Sequence, residues 1–330
     1  MTIKMDDIIK VEKLHKCFKI SWKMTDACNY RCPYCYMKDA VAKQNHTPQD
    51  FVEKIASRID RLIEVQSKGR SVNLHLIGGE ICLYDLVPVI DKIKSKQLKS
   101  IILATNFSAK DDYWQRLTDY LRQRNVTPNI ISSFHLSQCD KNEFVRKAIK
   151  FNTHVKAVVN SENLDTYRPY FDELLDNGNC VEVTVERDDQ NKCVPLTEEQ
   201  QCYIDFLNKE LLKHQTYFNV YLKNGDVITF PSNISFIDSI DIGGFDPDGW
   251  VCTAGIDGIR INQKGDVQRA GCRHSSINKI GNIFDDNIYD KLPKHNFICR
   301  TKETDSKGVF KHKFCTCFGN SSMWRGEEDD

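Results

Sequence analysis

The sequence lacks three features that would assign a chain to a broad class at once: an excess of charge, a long apolar run and a signal segment. Its 46 Lys and Arg residues balance its 46 Asp and Glu residues, so bulk basicity does not indicate nucleic-acid binding. No stretch approaches the roughly 18 consecutive apolar residues of a membrane-spanning helix. Residues 1–16 mix acidic and basic side chains and contain no apolar signal core. We therefore expect a cytoplasmic protein with no membrane partner, and a nucleic-acid partner is disfavoured.

Proline and glycine are also few, at 9 and 16 of 330 residues, and no internal repeat or low-complexity tract precedes the short acidic end at Glu327–Asp330. With 40% hydrophobic and 28% charged residues, the composition is that of a folded globular protein and excludes collagen-like and disordered classes. The length fits one large domain and a small one.

Cysteine, in contrast, is abundant. Fourteen cysteines in a reducing compartment are better explained by metal ligation or catalysis than by disulfides. Three are clustered at Cys28, Cys32 and Cys35. Five lie in the last quarter of the chain: Cys252, Cys272, Cys299, Cys315 and Cys317. The six scattered cysteines are predicted to be small core residues.

The first two thirds of the sequence alternates between strand and helix patterns. Apolar, β-branched segments begin near residues 18, 72, 100, 129, 154 and 181, and amphipathic helical patterns separate them. Such βα units form parallel sheets with right-handed crossovers. Because six units are fewer than the eight of a closed barrel, we predict an α/β fold: a partial (β/α)6 TIM-like barrel over residues 1–215, with a small cysteine-rich C-terminal extension over 216–330.

The distinctive motifs all follow predicted strands. The cysteine cluster follows the first strand, Gly78-Gly79-Glu80 the second, Asn106 the third, and Ser133 to His135 the fourth. Because the carboxyl ends of parallel strands meet at one rim, these groups should assemble into one site.

The C-x3-C-x2-C spacing of the first cysteine group suits an iron-sulfur cluster. Three thiolates can hold three corners of a four-iron cluster and leave the fourth iron open to a substrate. A structural zinc site would need a fourth ligand, and it remains the alternative, together with buried thiols.

These cysteines, with Tyr34 just before the third, resemble the signature of the radical S-adenosylmethionine (SAM) enzymes, and the resemblance extends over about residues 15–190. It implies that Cys28, Cys32 and Cys35 hold a 4Fe-4S cluster whose open iron is chelated by SAM. Reductive cleavage of SAM would then give a 5'-deoxyadenosyl radical that removes a hydrogen atom from the substrate. The resemblance also implies a reducing partner such as flavodoxin or ferredoxin.

Gly78-Gly79-Glu80 resembles the GGE element of the same family. The resemblance implies that the glycines permit close backbone approach to a ligand, while Glu80 offers a negative charge to the SAM ammonium. Ile81 and Cys82 follow where relatives often have Pro.

Asn106, Ser133 and His135 occupy strand ends at which relatives bind the SAM carboxylate and ribose, so we assign them to cofactor binding. Hydrogen bonding at the strand ends is the alternative interpretation.

The second cysteine group is predicted to gather around a hairpin. If residues 258–261 pair with 266–269, Cys252 and Cys272 meet at the open end. This arrangement is similar to the twitch or SPASM extensions of radical SAM enzymes and implies one auxiliary 4Fe-4S cluster. The preferred ligands are Cys252, Cys272, Cys315 and Cys317, with Cys299 as a substitute for one of them. A zinc site is the alternative.

The resemblance favours oxidation or cross-linking of a peptide side chain. Dehydrogenation or rearrangement of a sugar-like or nucleoside metabolite is the alternative, and an iron-sulfur electron carrier or redox-responsive binding protein is the alternative from another class. Cys82 is a candidate thiol that would quench a substrate radical, with core packing as its other interpretation.

Overall fold

The protein is built around two β-sheets. A computed structural model describes residues 3, 5–14, 16–35, 37–186, 194–214, 218–230, 249–269, 278–299 and 322–325. Within these residues, the larger sheet has nine strands and the smaller has six. No helix within these residues is both long enough and apolar enough to cross a membrane.

Six adjacent parallel strands of the larger sheet form the predicted partial barrel, which does not close. These strands are β2 (Phe18–Lys23), β3 (Val72–Ile77), β4 (Leu98–Thr105), β5 (Thr127–Phe134), β6 (His154–Val159) and β7 (Cys180–Val185). The helices between and after them are α1 (Lys38–Ala42), α2 (Gln49–Gln66), α3 (Leu86–Asp91), α4 (Asp111–Gln123), α5 (Lys141–Lys150), α6 (Leu164–Asp176) and α7 (Glu198–His214). The predicted α/β fold is confirmed.

The core lies between the strands and the surrounding helices. In β3, the alternate residues Val72, Leu74 and Leu76 are fully buried in this core, because successive side chains of a strand point to opposite faces of the sheet. The apolar face of α2 is buried opposite it at steps of three and four residues. Asp140 caps α5, since its Oδ1 accepts a hydrogen bond from the Glu143 N–H at 2.8 Å.

The cysteine-rich extension continues the barrel sheet. Strand β11 (Gly258–Ile261) pairs in parallel with β2, and β12 (Asp266–Arg269) and β13 (Lys279–Asn282) follow at the outer edge. The β11–β12 hairpin has the predicted bounds, and Gly265 adopts the left-handed conformation that its turn requires, with φ at 83°. Helix α8 (Ile288–Lys291) lies beyond β13.

The smaller sheet joins the two ends of the chain. Its strands are β1 (Ile8–Lys13), β8 (Phe218–Leu222), β9 (Val227–Phe230), β10 (Trp250–Cys252), β14 (Phe297–Ile298) and β15 (Met323–Arg325). The β8–β9 hairpin is one that the sequence predicts, because Asn224-Gly225 between two strand-like segments is typical of a tight turn. Strand β1 was not predicted. It lies in the segment assigned to the barrel, before the predicted domain boundary at residue 215, yet it pairs with β8, which lies beyond that boundary.

Candidate active site

The three clustered cysteines lie in one loop between β2 and α1. All three are free and partly exposed. The Cys35 N–H donates to the Cys32 carbonyl at 3.1 Å, and the Lys38 N–H donates to the Cys35 carbonyl at 3.0 Å. These two hydrogen bonds close tight turns shortly before α1.

The surroundings of Cys28 and Cys32 disfavour the thiolate form of each side chain, which a bound cationic group would stabilise. Burial raises the pKa of Cys28, and it raises the pKa of Cys32 to about 11, with additional repulsion from Cys28 and Cys35. A bound metal reverses this balance because it takes the thiolate form. In the part of the chain that is described, no three Cys, His, Asp or Glu side chains converge on a single metal ion. A 4Fe-4S cluster does not need such convergence, since each cysteine binds a different iron. The donor set therefore fits the cluster.

Gly78 and Gly79 pack directly against the start of the cysteine loop. A Cβ on Gly79 would lie 2.1 Å from the Ala27 carbonyl oxygen, and one on Gly78 would lie 2.7 Å from that of Thr25. The Gly79 N–H donates to the Thr25 carbonyl at 3.0 Å. The close approach that the sequence predicted for these glycines is thus an approach to this loop. Their contact with SAM stays a prediction.

Glu80 is fully buried and binds internal donors with both carboxylate oxygens. Its Oε1 accepts from the Thr105 hydroxyl at 2.7 Å and from the Cys82 N–H at 2.8 Å, and its Oε2 accepts from the Asn106 N–H at 2.6 Å. Burial raises the pKa of Glu80, while these hydrogen bonds lower it. The carboxylate joins the ends of β3 and β4. A contact with the SAM ammonium stays a prediction.

Asn106 lies beside the cysteine loop. Its Nδ2 donates to Asn29 Oδ1 at 2.8 Å and lies 3.8 Å from Cys28 Sγ. Asn29 Nδ2 in turn donates to the Ser108 hydroxyl at 2.9 Å. The residues after β4 therefore fix the loop, and one amide faces a cysteine sulfur.

Tyr34 and His135 join the cysteine loop to the end of β5. The Tyr34 hydroxyl lies 2.7 Å from His135 Nδ1, and the two rings stack with centroids 5.8 Å apart. Burial lowers the pKa of His135 to about 4, so the imidazole is neutral at pH 7. Ser133 lies on β5 opposite Lys156 of β6 and is partly exposed. Sequence reasoning placed these residues at one rim, and the structure joins Tyr34 to His135.

Cys82 packs beneath the rim. Its Sγ lies 3.5 Å from the Thr105 hydroxyl, and its side chain packs against the main core. Burial, with repulsion from Glu80, raises the pKa of this thiol well above its usual value. These contacts support the packing interpretation, and a role as hydrogen donor stays a prediction.

The second cysteine group is described only in part. Cys252 ends β10 and Cys299 follows β14, and both side chains are buried. The Cys299 N–H donates to the Trp250 carbonyl at 2.8 Å, so the two cysteines lie on paired segments. The other predicted ligands, Cys272, Cys315 and Cys317, lie outside the described residues.

The structure adds two features that sequence reasoning missed. The turn of the β11–β12 hairpin contacts the cysteine loop, since Gln263 Nε2 donates to Asp26, which also pairs with Lys23. The inner face of the barrel strands is polar and includes Lys19 and Lys156. Alternate polar residues in otherwise apolar strands were the available signal for the second feature.

Residues 22–160 match the Radical SAM superfamily. The chain is 23% identical to the GTP 3',8-cyclase of Clostridium perfringens (strain 13 / Type A), in a match that covers 87% of this chain and 94% of that protein. It is 32% identical to an S-adenosylmethionine-dependent nucleotide dehydratase of Fibrobacter sp. (strain UWH6), but over only 20% of either chain. Among solved structures, it resembles Streptococcus suis SuiB bound to S-adenosylmethionine, with a TM-score of 0.51 and 14% identity over 84% of this chain and 64% of that one. This last likeness concerns the fold alone.

Proposed function

Because this chain belongs to the Radical SAM superfamily, we propose that it is an enzyme that cleaves SAM reductively and removes a hydrogen atom from a bound substrate. The observation that carries the proposal is the loop of three free cysteines at the mouth of an open barrel. Cys28, Cys32 and Cys35 would hold a 4Fe-4S cluster, which supplies the electron for SAM cleavage when bound.

The surrounding residues keep this loop in place. Gly78 and Gly79 seat its first residues, Asn106 reaches its first cysteine, and Tyr34 anchors its last turn to His135. Positioning of this kind matters because the reacting atoms must lie within a few ångströms of one another. Flavodoxin or ferredoxin would act as the reductant, and free thiols at Cys28, Cys32 and Cys35 suit the cytoplasm.

We propose a small metabolite with a nucleoside or sugar part as the substrate. The names of both curated relatives refer to nucleotide chemistry, and the longer match spans most of both chains. The sequence alone favours a peptide substrate over a sugar-like or nucleoside metabolite, and this proposal reverses that preference. The peptide is the second candidate, because the open barrel mouth would also admit an extended side chain.

The C-terminal cysteines would hold an auxiliary 4Fe-4S cluster in a twitch-like extension. Its supporting observation is the β11–β12 hairpin, which continues the barrel sheet from β2 and contacts the cysteine loop through Gln263. An auxiliary cluster would suit a net oxidation, because a substrate radical must lose an electron to become a closed-shell product.

Anaerobic assays on the reconstituted enzyme test these proposals together. We expect about eight iron atoms per chain and formation of 5'-deoxyadenosine, by analogy with two four-iron clusters. A variant with Cys28, Cys32 and Cys35 all replaced by Ala should lose SAM cleavage and retain about four iron atoms.

Unchanged cleavage in the triple variant would contradict the cluster assignment. Four iron atoms plus one zinc in the parent enzyme would indicate a structural zinc site in the C-terminal extension. Stoichiometric electron transfer without any SAM cleavage would instead support the electron-carrier alternative. Product masses after incubation with nucleotides or peptides would distinguish the two substrate classes.

A further inference from the structure

A strained turn follows β4 beside the cysteine loop. Phe107 has a φ of 60°, which lies in the left-handed region that a bulky side chain rarely adopts. It is the one buried non-glycine residue with a positive φ in the described part of the chain. Its ring packs in the core, with its centroid 4.8 Å from that of Trp114 and 6.0 Å from that of Phe144. Strain of this kind persists where the surrounding structure imposes it, and it is common beside functional sites.

The turn at Phe107 presents the side chains on either side of it to the cysteine loop. Asn106 Nδ2 donates to Asn29 Oδ1 at 2.8 Å, and Asn29 Nδ2 donates to the Ser108 hydroxyl at 2.9 Å. The Ser108 N–H closes the turn by donating to Asn106 Oδ1 at 3.1 Å. Residues 106 and 108 therefore hold Asn29, the neighbour of Cys28, from both sides, while Phe107 is buried between them.

Lys147 on α5 holds this turn from the core. It is 6% exposed, and its Nζ donates to the Phe107 carbonyl at 2.6 Å and to the Ala109 carbonyl at 3.0 Å. The ammonium also lies 5.0 Å from the centroid of the Phe107 ring. Among the described residues, no carboxylate pairs with this ammonium. Because a lysine is rarely buried without an anionic partner, a buried lysine that binds two carbonyls of one turn indicates that the turn must keep a single conformation.

The Cys28 sulfur faces two N–H groups. The Tyr30 N–H donates to Cys28 Sγ at 3.4 Å, and Asn106 Nδ2 lies 3.8 Å from the same sulfur. Asn106 is itself fixed, because its backbone N–H donates to Glu80 Oε2 at 2.6 Å. A reduced iron-sulfur cluster carries more negative charge than an oxidised one, so N–H donors to its sulfurs stabilise the reduced state and raise the reduction potential. An amide that faces a cluster ligand therefore affects how readily the cluster accepts an electron.

We propose that Lys147 is a positioning residue for the first cluster: it holds the turn at Phe107 so that the Asn106 amide stays beside the Cys28 sulfur, and it thereby raises the reduction potential of the cluster. This proposal rests on the proposed function, since it takes Cys28 to be a cluster ligand. Lys147 acts through the backbone of residues 107–109, and Asn106 makes the contact with the sulfur. A higher potential allows flavodoxin or ferredoxin to reduce a larger fraction of the clusters.

A potentiometric titration of the anaerobic, reconstituted enzyme without SAM tests this proposal. Electron paramagnetic resonance measures the ratio of reduced to oxidised first cluster at a fixed potential, and the signal of the first cluster is the one that changes when SAM is added afterwards. In Lys147→Met we expect this ratio to fall about fivefold, which is the typical effect of one hydrogen bond on an equilibrium. That fall corresponds to about 40 mV, at about 59 mV for each tenfold change. Asn106→Leu, which removes the amide and keeps a similar shape, should give a fall of the same size.

The double variant with Lys147→Met and Asn106→Leu separates positioning from charge. If Lys147 acts through Asn106, the double variant should match Asn106→Leu alone, whereas an effect of the ammonium charge would add to it. Lys147→Gln removes the charge but keeps a donor, so its ratio should lie between those of the parent and Lys147→Met. Lys150→Met is the matched control, because Lys150 lies on the same helix, is exposed and pairs with Asp111. Its ratio should equal that of the parent.

The ratio refers only to protein that carries the cluster, so incomplete iron loading of a variant does not alter it. Should Lys147→Met fail to fold, Lys147→Gln replaces it in the double variant. An unchanged ratio in Asn106→Leu would overturn the proposal, as would additive losses in the double variant or equal losses in Lys147→Gln and Lys147→Met. A parent enzyme without a SAM-responsive cluster would overturn the proposed function and this inference with it. A SAM-responsive parent with unchanged ratios in its variants would overturn this inference alone.

Discussion

Two buried imidazoles make the stability of the protein sensitive to acid. Burial lowers the pKa of His75 to about 3, with a contribution from Lys19 and Lys156, and lowers that of His135 to about 4. Each ring is neutral in the folded state but protonates near pH 6.5 once unfolded. The unfolded state therefore binds more protons below pH 6.5, and stability falls as the pH falls from there toward the folded-state pKa.

At the scale of a single residue, we predict that His75→Gln reduces this acid sensitivity. Between pH 7 and pH 5 the parent should lose about 2 kcal/mol through His75 alone, since each unit below 6.5 contributes about 1.36 kcal/mol. Urea unfolding of the anaerobic enzyme at both pH values measures the loss, and the variant should lose about 2 kcal/mol less. His295→Gln, at an exposed position, controls for removal of an imidazole. Equal losses in parent and His75 variant would show that this ring is not a source of the sensitivity.

At the scale of structural elements, the junction between β3 and the cysteine loop depends on backbone contact. The methyl group of Gly79→Ala would lie 2.1 Å from the Ala27 carbonyl oxygen, and because that oxygen is a backbone atom, the loop must move. We predict a loss of about 1–3 kcal/mol in stability, as for other overpacked sites, with lower iron content at the first cluster. Iron analysis and circular dichroism together measure the effect, because the barrel strands should remain folded.

Gly69→Ala is the control for that prediction. Gly69 adopts the left-handed conformation, with φ at 80°, and a Cβ there meets no neighbour within 4 Å. It should lose about 1–2 kcal/mol through backbone strain alone and keep its iron. Iron loss of the same size in both variants would mean that general destabilisation, and not displacement of the loop, empties the site.

At the scale of the whole molecule, one buried amide joins the barrel helices to the cysteine-rich extension. Gln66, at the end of α2, is 4% exposed, and its Nε2 donates to the Pro293 carbonyl at 2.9 Å and to the Gly255 carbonyl at 3.3 Å. Arg70 donates to the Ile256 carbonyl at 2.7 Å beside them. The extension is thus held to the barrel by more than the pairing of β11 with β2.

We predict that Gln66→Ala lowers the free energy of unfolding by about 1–3 kcal/mol, because it removes the amide donor from two carbonyls in a buried setting. Thermal unfolding followed by tryptophan fluorescence measures the change, since Trp22 lies in the barrel and Trp250 in the smaller sheet. Gln115→Ala, at an exposed pair within α4, should have little effect. An unchanged melting temperature in Gln66→Ala would show that this contact does not stabilise the junction.

The sequence by itself determined the barrel strands, their order and the two hairpins. Period-two and period-3.6 patterns are local properties, so each βα unit could be recognised separately, and parallel strands then placed the cysteines, Glu80, Asn106 and His135 at one rim. Strand β1 escaped prediction because its partners β8 and β15 are more than 200 residues away, and its short sequence has no clear alternation.

Only the tertiary structure decided what the individual rim residues contact. Sequence spacing could not show that Gly79 faces Ala27, or that the oxygens of Glu80 are bound by Thr105 and Asn106, since these pairs meet through contacts between distant loops. A strand pattern says which residues share a face, whereas the packing of separate loops on one another decides which of those residues touch.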